Sequence, residues 1–181
     1  IEWTGLSYQE RQNAGQIVTL MGLALLFAYL FLVAQYESWT IPLSVMLSVL
    51  FAVMGALLGL ELTGGDMSIY TQLGMVMLIG LAGKNAILMV EFAKTARESG
   101  LSIIEAAKQG ASIRFRAVMM TAWSFLFGVL PLVFATGAGS ASRRAIGITT
   151  FAGMLTATLI GIFFIPFLFT LFETLREKFH A

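Results

Sequence analysis

Residues 67–90 read MSIYTQLGMVMLIGLAGKNAILMV, a stretch of 24 residues in which Lys84 is the only charged side chain. A membrane-spanning helix needs about 20 mostly apolar residues, so this stretch is long enough to cross a bilayer. Four other stretches of similar length contain no Asp, Glu, Lys or Arg at all: 12–36, 38–60, 117–142 and 145–172. The sequence therefore predicts five membrane-spanning helices.

The overall composition agrees with a membrane location. Of 181 residues, 58% are hydrophobic and 12% are charged, and the formal net charge is +1. Soluble proteins are nearer to about 45–50% apolar and about 25% charged residues. This composition excludes a soluble globular domain, a nucleic-acid-binding module and a disordered tail.

The residue types also limit the chemistry that the chain could perform. The sequence contains no Cys, which excludes disulfides, thiolate metal sites and a cysteine nucleophile. Its one histidine, His180, stands next to the C-terminus, so a multi-histidine metal site cannot form. We therefore expect no metal, no cofactor and no enzyme activity.

The charge-free stretches predict an all-α fold, a polytopic membrane helix bundle with a short cytoplasmic amphipathic helix added to it. Residues 1–14 are interpreted as the end of a larger domain or an interfacial lead-in, residues 15–176 as the transmembrane bundle, and residues 177–181 as a cytoplasmic tail. The five spans are predicted at about 16–36, 42–60, 69–92, 116–134 and 145–172.

The amphipathic helix is predicted within the long polar connection at 93–115. Ser102 and Glu105 have the spacing of a capping box, which marks the start of a helix. Ile103, Ile104 and Ala107 follow on one side, as expected for a helix lying on a membrane surface. Such a helix is either a simple tether between two spans or a part that couples their motions.

Basic residues indicate how the bundle is oriented, because cytoplasmic loops of membrane proteins carry an excess of Lys and Arg. Three basic residues, Arg11, Arg143 and Arg144, fall on the side that holds the N-terminus. Seven fall on the side that holds the C-terminus: Lys94, Arg97, Lys108, Arg114, Arg116, Arg176 and Lys178. This distribution predicts a cytoplasmic C-terminus.

Small residues recur at the spacing that brings membrane helices close together. Gly55 and Gly59 form a GxxxG motif in the second predicted span, and Gly153, Ala157 and Gly161 repeat every fourth residue in the fifth. Each motif is weak on its own, but together they predict a compact bundle.

Lys84 is the only charged side chain in the interior of a predicted span. A lysine at the centre of a membrane helix costs about 2.5–3.5 kcal/mol, so it needs a partner or a purpose. The alternative is a lysine that extends to the interface, but from Lys84 to Glu91 the helix makes about two turns. The sequence leaves both readings open.

Three further polar residues accompany Lys84. Thr121 lies five residues after Arg116, so its predicted depth in the fourth span matches that of Lys84, although a membrane threonine often bonds to its own helix instead. Asn85 follows Lys84 directly, and Arg114 stands at the mouth of the fourth span, where it could also be a simple anchor. No Asp or Glu lies inside a predicted span, so any carboxylate partner of Lys84 must come from elsewhere.

Four motifs together resemble one protein family across the whole chain. They are YESWxIP at 36–42, GLxxKNAILxVEFAK at 80–94, RxRxxxMT at 114–121 and TGAGS at 136–140. They resemble the inner-membrane subunit of tripartite multidrug efflux pumps, in the hydrophobe/amphiphile branch of the resistance-nodulation-division (RND) superfamily. Ala117 departs from the family, which usually has proline there.

The resemblance implies a function and site residues. The chain would correspond to helices eight to twelve of the family's twelve, with residues 1–14 ending a periplasmic domain. In the family, two aspartates on the fourth helix pair with a lysine on the tenth, and protonation breaks that pairing. Lys84 matches this lysine, and Thr121, Arg114 and Asn85 match its relay neighbours. The resemblance thus implies the C-terminal segment of a proton-motive-force-driven drug/proton antiporter, with no drug-binding residue in this chain.

The resemblance also implies partners and a location. These are the bacterial inner membrane, the aspartate-bearing half and periplasmic domains of the same pump, and, in a complete homotrimer, a periplasmic adaptor and an outer-membrane channel. Nucleic acid is not among the expected partners. The alternative function is a structural or assembly subunit of another membrane complex that reuses this half of the fold without transporting anything itself.

Overall fold

A computed structural model describes the backbone of residues 6–180 and the side chains of Thr19 and residues 22–178. The described chain consists of five α-helices joined by short turns, which confirms the all-α prediction. The helices are α1 (Leu6–Tyr36), α2 (Ile41–Leu62), α3 (Ile69–Glu98), α4 (Ile103–Val133) and α5 (Ser140–His180).

Four of these helices, α2 to α5, are long and apolar enough to cross a membrane, and α1 contributes a shorter apolar part at Gly22–Tyr36. Each helix extends beyond its predicted span at one end or both, and α5 and α1 show this clearly. At 1.5 Å per residue, the 41 residues of α5 reach roughly 60 Å, well beyond a hydrocarbon core of about 30 Å. The helix α1 begins at Leu6, so it includes much of the predicted lead-in at 1–14, and residues 1–5 of that lead-in lie outside the described residues.

The predicted amphipathic segment is helical, but it is not a separate element. The capping box at Ser102 and Glu105 is present, and it starts α4, which continues without a break through Ala117 to Val133. The helix α3 likewise extends past Phe92 to Glu98. The predicted connection at 93–115 is therefore reduced to a tight turn, because both flanking helices can satisfy their backbone hydrogen bonds internally through the polar sequence.

The helix α5 lies at the centre of the bundle and packs against α2, α3 and α4, whereas α1 lies at the edge beside α2. The predicted small-residue packing occurs between α2 and α5. A Cβ on Gly55 of α2 would overlap the side chain of Thr156, and one on Gly59 would overlap Ala152. A Cβ on Gly153 of α5 would lie 2.9 Å from the carbonyl oxygen of Ala52 on α2, and it would also overlap Leu78 of α3. We call the α2–α5 contact at Gly55, Gly59 and Gly153 the glycine seam.

Two apolar clusters form the core at different levels of the bundle. The first lies toward the turn that contains Trp39 and includes Tyr36, Val45, Met89 and Phe169. The second lies toward the turn that contains Asp66 and includes Ala52, Leu78, Leu126 and Met154. We call these two ends of the bundle the Trp39 end and the Asp66 end.

Candidate functional site

Lys84 lies near the middle of α3, 15 residues after Ile69 and 14 residues before Glu98. Its side chain is exposed, and it forms no ion pair or hydrogen bond with any residue that the structure describes. One helical stripe runs from Lys84 toward the Asp66 end and is exposed along its length: Leu73, Val76, Met77 and Gly80. Lys84 therefore faces away from the core of this chain.

The ion pairs of the described part lie away from Lys84. Their ion pairs gather at the Trp39 end, where Lys94 lies 3.7 Å from Glu98 and Arg97 pairs with Glu177 of α5. Arg176 pairs with the buried Glu173 at 3.1 Å on α5 itself. Arg116, near the middle of α4, is likewise exposed and has no ion pair in the described part of the chain, but it stands at the start of the predicted fourth span, whereas Lys84 stands inside the third.

Thr121 of α4 lies at the level of Lys84. The antiparallel register of the two helices is set where Gly110 of α4 fits against the backbone of Ala93 of α3. Eleven residues further along α4, Thr121 therefore comes level with Ala82, about 3 Å along the axis from Lys84. The depth match that the sequence predicted between Lys84 and Thr121 is present.

The hydroxyl of Thr121 is held by its own helix. It donates to the carbonyl oxygens of Ala117 and Val118, both at 3.0 Å, although the side chain is exposed. Ala117, Ser124 and Gly128 continue the same exposed flank of α4. We call the exposed stripes of α3 (Leu73, Val76, Met77, Gly80, Lys84) and α4 (Ala117, Thr121, Ser124, Gly128) the open face.

Arg114 does not reach Lys84, because it lies about two turns further along α4 toward the Trp39 end. Its guanidinium carbon lies 4.4 Å from the centre of the Phe92 ring on α3, a cation–π contact between the two helices. Its Nε is buried and has no hydrogen-bond partner in the described part of the chain. Arg114 thus joins α3 and α4 on the Trp39-end side of Lys84 and Thr121.

Asn85 faces the opposite way from Lys84. Because successive residues of a helix are rotated by about 100°, the neighbour of an outward side chain can point inward. Asn85 lines a small interior cavity together with Ser48 of α2 and Thr158 of α5. The structure therefore brings Lys84 and Thr121 to the open face, but it places Asn85 inside the bundle.

Sequence reasoning missed one contact between α1 and α3. The hydroxyl of Tyr36 donates to the carbonyl of Ile87 at 3.0 Å, and Lys94 Nζ donates to the carbonyl of Tyr36 at 3.2 Å. Lys94 Nζ also lies 5.9 Å from the centre of the Tyr36 ring. These contacts fix the end of α1 to α3, and the one at Ile87 lies within one helical turn of Lys84. Tyr36, Ile87 and Lys94 all occur in the motifs quoted above, but only the fold reveals that they meet.

No metal centre is formed by the described residues, since none of their acidic or histidine side chains gather in groups of three or more. The arrangement instead offers a cation and a hydroxyl at one depth of a membrane bundle. Such a pair can bind, hold or release an anionic group, and a proton can control that binding when the anion is a carboxylate.

Comparison with known sequences identifies the family. The model of the AcrB/AcrD/AcrF family matches residues 1–173 of this chain. The chain belongs to the AcrB/AcrD/AcrF family. Members of this family include the inner-membrane transporters of RND efflux pumps, as the sequence motifs indicated.

Individual relatives agree with this assignment. The chain is 45% identical over 178 residues to the multidrug resistance protein MdtF of Escherichia coli K12, and the match covers 98% of this chain and 17% of MdtF. It is 43% identical over 173 residues to the toluene efflux pump membrane transporter TtgB of Pseudomonas putida, covering 96% of this chain and 16% of TtgB. The chain thus spans about one-sixth of the length of these AcrB/AcrD/AcrF relatives.

Proposed function

We propose that this chain is the C-terminal transmembrane segment, helices eight to twelve, of a proton-motive-force-driven drug/proton antiporter of the RND efflux type. In this proposal it supplies the lysine side of the proton relay and acts in transport, not as an enzyme. The observation that carries the proposal is the exposed, unpaired Lys84 at the middle of a helix long enough to cross a membrane.

An exposed Lys84 cannot simply face lipid. Lysine at the centre of a membrane helix costs about 2.5–3.5 kcal/mol when it inserts without compensation. The nearest acidic residue along α3 is Glu91, which is seven residues and about 10 Å away along the axis. The compensating carboxylates must therefore come from outside the described chain. The remaining five-sixths of a relative such as MdtF is long enough to contain them.

The proposed cycle follows from the charge of Lys84. An ionised carboxylate opposite Lys84 is held by electrostatic attraction, and protonation of that carboxylate removes the attraction. The helix α3 then has two favoured positions, and protons decide between them. Thr121, whose hydroxyl can turn from its own helix carbonyls toward the open face, can bond the carboxylate in one of these positions.

The other two predicted relay residues take supporting parts in this proposal. Arg114 holds α4 to α3 through Phe92, so that Thr121 and Lys84 stay level. Asn85 lies on the inner side of α3 behind Lys84, where it faces α2 and α5 across the small cavity. The contact of Tyr36 with Ile87 and Lys94 would carry a shift of α3 to α1, the helix that includes residues 6–14.

The location and partners belong to the same proposal. We place the chain in the bacterial inner membrane with the Trp39 end and the C-terminus in the cytoplasm, since most basic residues lie at that end. Its direct partner is the aspartate-bearing N-terminal half of the same transporter, together with the periplasmic domains. A homotrimer with a periplasmic adaptor and an outer-membrane channel would complete the pump. Drug contacts are assigned to those other parts.

A chimaera tests the proposal. The matching segment of MdtF is replaced by this chain, and the chimaera is expressed in an efflux-deficient Escherichia coli strain. We expect the chimaera to restore drug resistance and Lys84→Ala to reduce resistance to the level of the empty strain, with unchanged protein in the membrane. Lys108→Ala, which removes an exposed lysine near the start of α4, serves as the matched control and should keep resistance.

Two outcomes count against the proposal. Full resistance with Lys84→Ala would show that Lys84 does not carry proton coupling. A chimaera that is correctly inserted but inactive even with Lys84 intact would favour the structural or assembly role instead.

A further inference from the structure

A small cavity lies inside the bundle on the inner side of α3. Its volume is about 20 Å³, and α2, α3, α4 and α5 all contribute to its lining. Three of the lining side chains are polar: Ser48 of α2, Asn85 of α3 and Thr158 of α5. The other lining residues are apolar or glycine. A cavity needs roughly 10–15 Å³ to hold one water molecule, so this one is large enough for a water molecule.

The position of the cavity is defined by the core. On α2, Ser48 falls between Val45 of the first apolar cluster and Ala52 of the second. On α5, Thr158 falls between Met154 of the second cluster and Ile165 of the first. The three polar side chains therefore form a single polar layer between two apolar clusters.

The hydrogen bonds of these side chains leave a defined set of free groups. The hydroxyl of Ser48 donates to the carbonyl of Val45 at 2.6 Å, and that of Thr158 donates to the carbonyl of Met154 at 2.7 Å. Both hydroxyl oxygens therefore remain available as acceptors. The amide of Asn85 makes no hydrogen bond with any residue in the described part of the chain, so its NH₂ group remains available as a donor.

We propose that one water molecule occupies this cavity and bridges the three helices. Its two hydrogens are donated to the oxygens of Ser48 and Thr158, and its own oxygen accepts from the amide of Asn85. These three bonds match the number that buried waters usually make. The water also supplies a partner for an amide that forms no hydrogen bond within the described part of the chain.

The water has a structural consequence for α3. Because Asn85 follows Lys84, the bridge ties α3 to α2 and α5 at the level of the open face. The inference rests only on the packing of this chain, and it holds whether or not Lys84 carries proton coupling.

A structure of the MdtF chimaera tests the proposal without any substitution. At a resolution that shows ordered internal waters, we expect one isolated density peak within hydrogen-bond distance of Asn85, Ser48 and Thr158. A cavity closed by side chains, or one without density while other internal waters are visible, would overturn the proposal. The transport activity of the chimaera does not enter this result, so it is separate from the test of Lys84.

Thermal unfolding of the detergent-purified chimaera supplies a second measurement. Asn85→Leu and Thr158→Val each remove one bond to the water while keeping a similar side-chain volume. If both act through one water, the loss of Tm in the double variant is smaller than the sum of the two single losses.

Thr156→Val is the matched control for this cycle. Thr156 lies two residues before Thr158, donates to its own helix carbonyl at 2.9 Å in the same way, and does not line the cavity. Its loss of Tm should add to that of Asn85→Leu without coupling. Additive losses for the Asn85–Thr158 pair as well would show that no shared water connects these two side chains.

Discussion

The glycine seam and the open face both contain glycines on membrane-length helices, but these glycines have opposite surroundings. In the seam, side chains of neighbouring helices occupy the space beside Gly55, Gly59 and Gly153, and an added Cβ would collide with them. On the open face, an added Cβ at Gly80 or Gly128 meets no atom within 4 Å. The helices of this chain are thus closely packed at the glycine seam, whereas nothing in the described chain packs against Gly80 or Gly128 on the open face.

Lys84 distinguishes the open face chemically from the glycine seam. A seam filled with apolar atoms is stable in lipid without further help, since close packing drives helix association there. A face that includes an unpaired lysine is not, because lipid cannot solvate the charge. We therefore expect the two regions to respond differently to the same type of substitution.

The largest effect is expected from filling the glycine seam. Gly55→Leu places a side chain where Thr156 already lies, and overpacking of this kind costs about 1–3 kcal/mol or more. We expect the chimaera to lose most of its folded, membrane-inserted protein, as measured by fluorescence-detected size-exclusion chromatography. A normal chromatographic peak would show that α2 and α5 can separate without harm.

The next effect is expected from filling the open face. Gly80→Leu has free space within this chain, and replacing a helical glycine favours the helix by up to about 1 kcal/mol. The Tm of the 181-residue chain should therefore remain unchanged or rise slightly. In the MdtF chimaera, we expect the same substitution to reduce resistance strongly, because our proposal places the other half of the transporter against this face. Unchanged resistance would mean that Gly80 faces lipid in the complete protein.

The smallest effect is expected from Thr121. Thr121→Ala removes a hydroxyl that already bonds its own helix, so we expect little change in the Tm of the chimaera. Resistance should fall partially, by less than with Lys84→Ala, and Thr121→Ser, which keeps the hydroxyl, should restore it. Full resistance with Thr121→Ala would reduce Thr121 to a packing residue.

Much of the fold could be predicted from the sequence, because the membrane imposes simple rules. Long stretches without charge must be helical, since lipid offers no partner for backbone groups. The five helices and the capping box at Ser102 followed from these rules and from local residue types. The extension of α3 to Glu98 and the continuation of the Ser102-capped helix into the fourth span did not, because the polar residues at 93–115 suit a helix and a surface loop equally well.

The candidate site was predicted in part. Lys84 stood out as the one charge within a span, and its level with Thr121 followed from counting residues along antiparallel helices. The orientation of Asn85 was not predicted, because the neighbour of a polar residue in sequence lies on another side of the helix. The meeting of Tyr36 with Ile87 and Lys94 joins residues more than 50 positions apart, which no local pattern reveals.

By itself, the sequence determined that the chain is a helical membrane protein of the AcrB/AcrD/AcrF family, because hydropathy and linear motifs are properties of consecutive residues. Only the tertiary structure decided which glycines pack against neighbouring helices, which polar groups face a shared cavity, and that Lys84 has no partner among the described residues. These features depend on how the faces of different helices meet, and that arrangement is fixed by packing across the bundle.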